Sequence, residues 1–198
     1  DANITVFSLE AEPSHRLIEF CENNKVPMVC LLIMGLRTYL QKFNYQDDVS
    51  IMSTVARRAT ISEKKSGGTR VHCFPCRTIV NKEETFMEGI EKIREAQNNL
   101  FRHANYNPVE YLNYRTSFYN NEPGQTYEPL SLTYQPLTMK DVKQRTGQTI
   151  DFSGIDYKTN WYSNGACAHT LYLTVMHRSN DNGLNFSFEY KTGRVTPE

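Results

Sequence analysis

The sequence predicts an α/β fold in which helices cover an open mixed β-sheet. Through much of the first half, apolar residues recur every three or four positions, the period of buried helices. In the last third they alternate with polar residues, the period of strands. Tyr and Phe number 12 and 10, and both favour strands. The predicted order of helix, helix, strand, strand, helix, helix and then strands is typical of layered α/β domains.

Composition limits the classes of function. The 198 residues suffice for one compact domain, or for one lobe of a larger one. Lys plus Arg and Asp plus Glu number 22 each, and this zero formal charge argues against nucleic-acid binding. The longest apolar run, residues 26–36, is too short to span a bilayer. Five cysteines, mostly in apolar runs, are typical of reduced thiols in a cytoplasmic protein. Because the chain starts at Asp1 rather than Met, we expect a fragment of a longer protein.

Two helices are predicted first. Pro13 suits the first turn of a helix whose core face holds Leu17, Ile18 and Cys21. A second helix should follow Pro27 and be deeply buried at its start. Its core stripe is predicted to hold Met28, Leu31, Leu32, Gly35, Leu36, Tyr39, Leu40 and Phe43.

The chain then changes to the strand period. Alternation from Asp48 to Val55 predicts a buried strand. Residues 57–69, RRATISEKKSGGT, are polar and end in two glycines, so we predict a long exposed loop rather than an element. A second strand over residues 71–80 follows.

Two further helices are predicted before the last third. Asn81 and Glu84 have capping-box spacing, and the helix that they start should reach about residue 103. Its core stripe is predicted to hold Phe86, Ile90, Ile93, Gln97 and Leu100. A shorter helix should begin at Pro108, with Val109 and Leu112 facing inward.

The last third is predicted to be β-structure. Residues 120–129 should form an exposed turn, strands should follow near Leu130 and over Ile150 and Phe152, and NDNG at 180–183 should turn a closing hairpin. On its last strand, the core face should hold Leu184, Phe186, Phe188 and Tyr190. The residues that should face away are Asn185, Ser187, Glu189 and Lys191.

The segment RVHCFPCRT, residues 70–78, has two cysteines with C-x-x-C spacing. A redox pair needs its first thiol at a helix N-terminus, whereas Cys73 and Cys76 fall in a predicted strand and should point to opposite faces. A zinc site needs four ligands, and besides His72 the chain offers no second pair of suitable spacing. Redox or zinc binding remains an alternative to two half-buried thiols.

No catalytic centre is visible in the sequence. The chain lacks a nucleophile elbow, a dinucleotide fingerprint and a zinc-protease motif. Among the histidines, His72 follows the long polar loop and is the one expected to line a ligand surface. His103 should cap the negative end of its helix, and His169 should pack at the opening of a strand. His15 and His177 are expected on a helix surface and at a strand end.

Five segments match, in order, the motifs of one known family. Residues 26–51, VPMVCLLIMGLRTYLQKFNYQDDVSI, resemble a helix of the form T-ffvLLAafalLL-ry-g-qdDv-vG and the strand after it. ARR at 56–58 lies where the family has Gly-Arg, and GGTRVHCFPCRT at 67–78 is similar to GxFVNTLxLR. FRHANYNPVEYL at 101–112 resembles hqdvPFexLv, and residues 169–193 resemble the closing hairpin. The family is the condensation domain of nonribosomal peptide synthetases, and the matched part is its C-terminal half.

The resemblance implies that residues 1–198 are a single lobe of a chloramphenicol-acetyltransferase-like fold. The family's catalytic motif, HHxxxDG, belongs to the N-terminal lobe and is absent from this sequence. In the family, carrier proteins reach a tunnel between the two lobes from both ends. Their phosphopantetheine arms hold the thioester substrates, and no cofactor binds the lobe directly. The lobe would supply the acceptor-side wall and tunnel-closing loops for amide or ester formation.

The resemblance assigns no catalytic or metal-ligating residue to this chain. It implies three substrate-tunnel candidates, His72, Arg58 and Arg77, with residues 57–69 as a floor loop and 136–168 as a latch to the other lobe. Four departures from the family are Arg70, His72, Cys73 and Thr170, in place of Phe, Asn, Thr and Asp. These departures also suit an alternative, a non-catalytic docking or scaffold lobe. An isolated lobe would expose apolar surface, which favours self-association.

Overall fold

A computed structural model describes residues 1–58, 60–120, 130–137, 142–143, 149–150, 160–178 and 183–195. The chain divides into two compact units. The terminal unit comprises Asp1–Asn24 and Thr133–Glu198, and the central unit comprises Lys25–Leu132. None of the helices in these described ranges is long and apolar enough to cross a membrane.

Five helices and eight strands occur in the described ranges. The helices are α1 Ala11–Asn24, α2 Met28–Asn44, α3 Ile61–Lys65, α4 Phe86–Arg102 and α5 Pro108–Tyr119. The strands are β1 Ala2–Ser8, β2 Asp48–Val55, β3 His72–Ile79, β4 Leu130–Leu137, β5 Val142–Lys143, β6 Thr149–Ile150, β7 Leu171–Arg178 and β8 Leu184–Lys191. Six strands form a sheet of order β1-β8-β7-β4-β2-β3, and β5 pairs with β6. Because β2 runs parallel to β4 and antiparallel to β3, the predicted open mixed sheet is confirmed.

The core of the central unit lies between α2, α4 and one face of β2 and β3. Ile33, Ile51 and Ile93 are almost completely buried there. Across this layer, Gln97 Nε2 of α4 donates a hydrogen bond to Ser53 Oγ at 2.8 Å. The predicted stripe of α4 is therefore largely correct, although Phe86 is 47% exposed.

The predicted stripe of α2 is wrong. The buried residues of this helix are Cys30, Ile33, Met34 and Arg37, whereas Tyr39 and Phe43 are 62% and 70% exposed. An almost wholly apolar first half fits several helix faces equally well, so the spacing does not choose among them. Arg37 lies on this buried face, and its side chain is hydrogen-bonded inside the unit.

Three local predictions in the central unit also differ from the structure. The segment 57–69 contains the short helix α3, which a capping box between Thr60 and Glu63 starts. The capping box of α4 is Thr85 with Glu88, one turn later than predicted. In α5, Val109 and Leu112 are 60% and 45% exposed, so the predicted inward face is wrong.

In the terminal unit, β1 is an element that the sequence pattern did not predict. It pairs antiparallel with β8, from Ala2 opposite Lys191 to Ser8 opposite Asn185. Phe7 stacks on Phe186 with ring centroids 4.9 Å apart. Ala2, Ile4 and Val6 alternate with Asn3 and Thr5, a strand signal that the prediction missed, and the partner strand lies almost the whole chain length away.

The closing hairpin is confirmed as β7 and β8, but its outer face differs from the prediction. Asn185 and Ser187 are buried rather than exposed. The cause is the segment before β7, which covers this face: Trp161 Nε1 donates to Met176 Sδ at 2.8 Å, and Ser163 Oγ donates to Glu189 Oε1. Predictions for residues 121–129, for Phe152, for the turn residues 180–182 and for most of the latch segment lie outside the described residues.

Candidate functional site

The pairing of β2 and β3 fixes the directions of the two cysteines. Cys73 lies opposite Thr54 and Cys76 lies opposite Ile51. Side chains three residues apart in one strand point to opposite faces. Cys73 Sγ lies 3.7 Å from Thr54 Oγ1. Burial raises the pKa of the Cys76 thiol, and a hydrogen bond with Gln97 offsets part of the rise. The predicted opposite orientation of the thiols is confirmed.

His72 opens β3 beside a small core cluster. Its register partner is Val55, and its ring centroid lies 6.4 Å from that of Phe74. Val55 and Phe74 pack with Ala104 in a buried cluster. His72 is itself half-buried, so one side of the ring contacts the core while part of it stays accessible. A role of His72 toward substrate remains a prediction.

Arg58 organises the segment between β2 and β3. Its Nη1 donates to the carbonyl oxygens of Glu63 and Ser66, both at 2.6 Å. Its Nη2 donates to the carbonyl oxygen of Gly68 at 2.7 Å. Gly68 has a φ of 85°, a left-handed value that glycine adopts without strain. The Arg58 guanidinium therefore holds α3 and the following turn in one arrangement.

Arg77 forms a bidentate ion pair with Asp48. The distances are 2.8 Å from Arg77 Nε to Asp48 Oδ1 and 2.6 Å from Nη2 to Oδ2. This hydrogen bonding lowers the pKa of the Asp48 carboxyl, while slight burial acts in the opposite direction. Since both side chains remain substantially exposed, the pair fixes geometry more than it stabilises the fold.

Arg77 also lines a groove of about 1060 Å³, which we name the α5 groove. The strands contribute Asp48, Ser50 and Pro75 to its lining. The aromatic side chains that α5 adds are Tyr111, Tyr114, Phe118 and Tyr119. Arg115, which is 8% exposed, places its guanidinium carbon 5.6 Å from the centre of the Tyr111 ring. This geometry is that of a cation–π contact.

The described lining of the α5 groove is rich in aromatic side chains, as is typical of ligand-binding clefts. None of the described residues that line it is His or Cys, the side chains most often used as bases near neutral pH. Of the three predicted tunnel residues, only Arg77 reaches this groove. The aromatic side chains were missed, although Tyr111, Tyr114 and Phe118 have the spacing of one helix face and carried a usable signal. Among the described residues, no cluster of three His, Cys, Asp or Glu could hold a metal ion.

Tyr134 of β4 and His177 of β7 form a polar pair in the terminal unit. Tyr134 Oη and His177 Nδ1 lie 2.8 Å apart, and burial raises the pKa of the Tyr134 hydroxyl. His177 was predicted at a strand end, which β7 confirms, but its partner was not predicted. His103 is the C-cap of α4, as predicted.

Solved structures define the class of fold. The first condensation domain of the calcium-dependent antibiotic synthetase, in complex with substrate analogue 3a, matches 98% of the chain with a TM-score of 0.68 and 15% identity. VibH, a nonribosomal peptide synthetase condensation enzyme, matches the whole chain with a TM-score of 0.71 and 12% identity. The X-domain from teicoplanin biosynthesis matches the whole chain with a TM-score of 0.72 and 17% identity. The chain covers 40%, 43% and 43% of these proteins, and at such identities the likeness shows the fold alone.

The Condensation domain family model matches residues 1–195, and the chain belongs to this family. Among curated relatives, surfactin synthase subunit 1 of Bacillus subtilis (strain 168) is 24% identical over 192 residues, which are 97% of the chain and 5% of the relative. Bacitracin synthase 2 of Bacillus licheniformis is 26% identical over 100 residues, 50% of the chain and 4% of the relative. The chain thus spans only a small part of the length of these synthases.

Proposed function

We propose that this chain is the C-terminal lobe of a nonribosomal peptide synthetase condensation domain. It would supply the acceptor-side wall and tunnel-closing loops for amide or ester formation between carrier-bound thioesters. Its partners would be an N-terminal lobe and carrier proteins whose phosphopantetheine arms present the substrates. The observation that carries the proposal is the match of residues 1–195 to the family in a sequence without HHxxxDG. The 40–43% coverage of solved condensation domains supports a share of about one lobe.

The segment between β2 and β3 supports a structural part in the tunnel. We assign it the role of floor loop because Arg58 holds its carbonyl groups in place, and a fixed loop can close one side of a tunnel. In this arrangement, Arg58 would act on substrate through the loop rather than by direct contact. His72 immediately follows in β3 and is partly accessible, which keeps it the first candidate for contact with substrate.

A non-catalytic docking lobe is the second candidate function. One similar structure is a complex of the X-domain and OxyB from teicoplanin biosynthesis, with a TM-score of 0.71 and 17% identity. That fold therefore also serves in a complex with another protein. The aromatic α5 groove of this chain fits a binding role as well.

The test uses the longer protein that contains this chain, together with donor and acceptor carrier proteins loaded with aminoacyl thioesters. Mass spectrometry measures the dipeptidyl product on the acceptor carrier. We expect product formation that requires both an upstream HHxxxDG and residues 1–198. Product that persists after deletion of residues 1–198 would contradict the proposal. Carrier binding without product from the intact protein would favour the docking lobe.

The role of His72 is tested in the same assay. His72→Ala should slow condensation roughly tenfold, the effect of losing one positioning hydrogen bond worth about 1.4 kcal/mol, and leave Tm nearly unchanged. His72→Asn, which introduces the family's residue, should retain more activity, and His103→Ala at the helix cap serves as a matched control. A large loss of Tm with normal turnover would make His72 a packing residue instead.

A further inference from the structure

Strand β1 forms one edge of the six-stranded sheet, and β3 forms the other. On its inner side, β1 pairs with β8 over its whole length, from Ala2 to Ser8, in one continuous register. The backbone groups on its outer side face away from the sheet. An edge of this kind can pair with a further strand.

The hydrogen bonds at the two ends of β1 show which of its backbone groups lie on the outer side. The Leu9 N–H donates to the Leu184 carbonyl oxygen at 2.9 Å. At the other end, the Asp1 carbonyl oxygen accepts from the Thr192 N–H at 3.2 Å. Because positions along an antiparallel pair alternate, the odd-numbered residues of β1 bond to β8. The even-numbered residues therefore direct their N–H and C=O groups outward.

The first outward N–H groups of β1 have acceptors within the chain. The Ala2 N–H donates to the Gly165 carbonyl oxygen at 3.1 Å. The Ile4 N–H donates to Asn3 Oδ1 at 2.8 Å. The open part of the edge thus begins at the Ile4 C=O.

From this point the edge has no partner among the residues that the structure describes. None of them hydrogen-bonds the C=O of Ile4, or the N–H and C=O of Val6 and Ser8. Charged side chains and proline are the usual protection of an exposed edge strand. Ala2–Ser8 contains neither.

The opposite edge of the sheet does have this protection. Because the Val80 N–H donates to the Asp47 carbonyl oxygen, the even-numbered residues of β3 bond to β2 and Pro75 lies at an outward position. Proline has no N–H to offer there. In addition, Lys92 Nζ donates to the Ile79 carbonyl oxygen at 3.0 Å. Strand β3 is therefore blocked, whereas β1 is open.

Apolar surface lies beside the open edge on both faces of the sheet. On one face, Phe7 is 45% exposed and stacks on Phe186 with ring centroids 4.9 Å apart. On the other face, Val6 and Ser8 line a cavity of about 400 Å³ together with Trp161. A strand added to β1 would cover part of both surfaces.

We propose that β1 pairs with β1 of a second copy of this chain, antiparallel and about a twofold axis at Val6. The open groups of Ile4, Val6 and Ser8 are evenly spaced about Val6, so the edge is its own complement. The two Val6 residues exchange two hydrogen bonds, and each Ser8 N–H donates to the Ile4 C=O of the other copy. Every open N–H thereby gains an acceptor.

The same register also matches the side chains. Phe7 lies opposite Thr5 of the second copy, an aromatic–β-branched pair of the kind that stabilises sheets. Ile4 of the second copy lies opposite Ser8 and brings an apolar side chain to the cavity that Trp161 lines. No like charges meet, because β1 carries none. The edge belongs to the terminal unit, so this inference stands whether or not the chain acts in condensation.

Analytical ultracentrifugation of the 198-residue chain tests the pairing. We expect a dimer with a Kd on the order of 100 µM or tighter, since one strand pair is a small interface. Val6→Lys should weaken it at least roughly tenfold, because two ammonium groups would lie opposite each other at the axis. Val6→Thr, uncharged and of similar shape, is the matched control and should dimerise as the parent does. Tyr45→Ser, which removes an 89% exposed ring from the central unit, should also leave the dimer unchanged.

Hydrogen exchange measured by NMR locates the contact in the parent chain and needs no variant to fold. The Val6 and Ser8 amides should exchange roughly threefold or more slower at about 1 mM chain than at about 50 µM. The Phe7 amide points to β8 and should be equally protected at both concentrations. The proposal is overturned by a chain that stays monomeric up to about 1 mM, by a dimer that folded Val6→Lys leaves intact, or by exchange at Val6 and Ser8 that does not depend on concentration. A monomeric chain would leave the open edge to a strand of a different protein.

Discussion

Replacement of Arg37 by alanine should strongly destabilise the central unit. Arg37 is completely buried in α2. Its Nη2 donates to the carbonyl oxygen of Asp47 at 2.7 Å, and its Nη1 to Gln41 Oε1 at 3.1 Å. Gln41 Nε2 in turn donates to the carbonyl oxygen of Val80 at 3.0 Å. Burial lowers the pKa of the guanidinium, and nearby carboxylates oppose this change. The network thereby connects α2 to the start of β2 and to the residue that follows β3.

The magnitude follows from what Arg37→Ala leaves behind. Two acceptors lose a charged donor, at about 1–3 kcal/mol each, and the removed side chain leaves a cavity. We therefore expect the free energy of unfolding to fall by about 4 kcal/mol, a large share of the stability of a small domain. Arg37→Lys should lower the free energy of unfolding by an intermediate amount, because an ammonium group lacks the planar fork of donors of a guanidinium.

Urea unfolding followed by far-UV circular dichroism measures this change, since α2, α4 and α5 all lie in the central unit. Tryptophan fluorescence would instead report on the terminal unit. Arg16→Ala is the control, because Arg16 forms an exposed pair with Glu12 and its loss should cost less than about 0.5 kcal/mol. A loss below about 1 kcal/mol for Arg37→Ala, with an unchanged m-value, would refute the reasoning.

Three further predictions concern stability and thiol reactivity. Gly35→Ala should raise the free energy of unfolding by about 0.8–1 kcal/mol, because an added Cβ meets nothing and Ala favours the helix. Gly89→Ala should raise the free energy of unfolding less or lower it, because the added Cβ would lie 2.8 Å from the methyl group of Met34. Urea unfolding of the two variants measures the difference. The lowered pKa of Asp48 stabilises the fold above the carboxyl's ordinary pKa of about 3.9, and this contribution disappears as pH falls through the lowered value. The stability difference between the parent and Arg77→Met should therefore shrink on acidification, and a pH-independent difference would contradict this cause. In native protein, Ellman's reagent should modify the half-buried Cys73 well before the three buried cysteines. The reaction of Cys73 is identified as the fast phase that is missing in Cys73→Ser.

The sequence carries enough information for most of the central unit's elements. Alternation over β2 and the stripe of α4 are strong periodic signals that the structure follows almost residue by residue. The stripe of α2 failed because too many positions were apolar, so that any face of the helix satisfied the pattern. On the buried face, Arg37 donates to the carbonyl oxygen of Asp47 after the helix, a contact that apolar periodicity does not indicate.

The terminal unit shows a different limit. The hairpin of β7 and β8 was visible from alternation on each strand, but β1 joins β8 from the other end of the chain. Local patterns cannot indicate that a short N-terminal segment completes a sheet edge. They also cannot indicate that a segment near Trp161 covers the second face of the hairpin, so Asn185 was assigned to solvent.

Buried polar residues therefore carry information about the fold that the motifs did not. The C-x-x-C spacing drew attention first, yet strand geometry separates Cys73 from Cys76. Asn185 was predicted to face away from the core and Arg37 was not in the predicted core stripe, and both are buried. Arg37 has protein partners that explain its burial in terms of stability. Asn185 also lines a pocket, and its buried Oδ1 has no donor among the described residues.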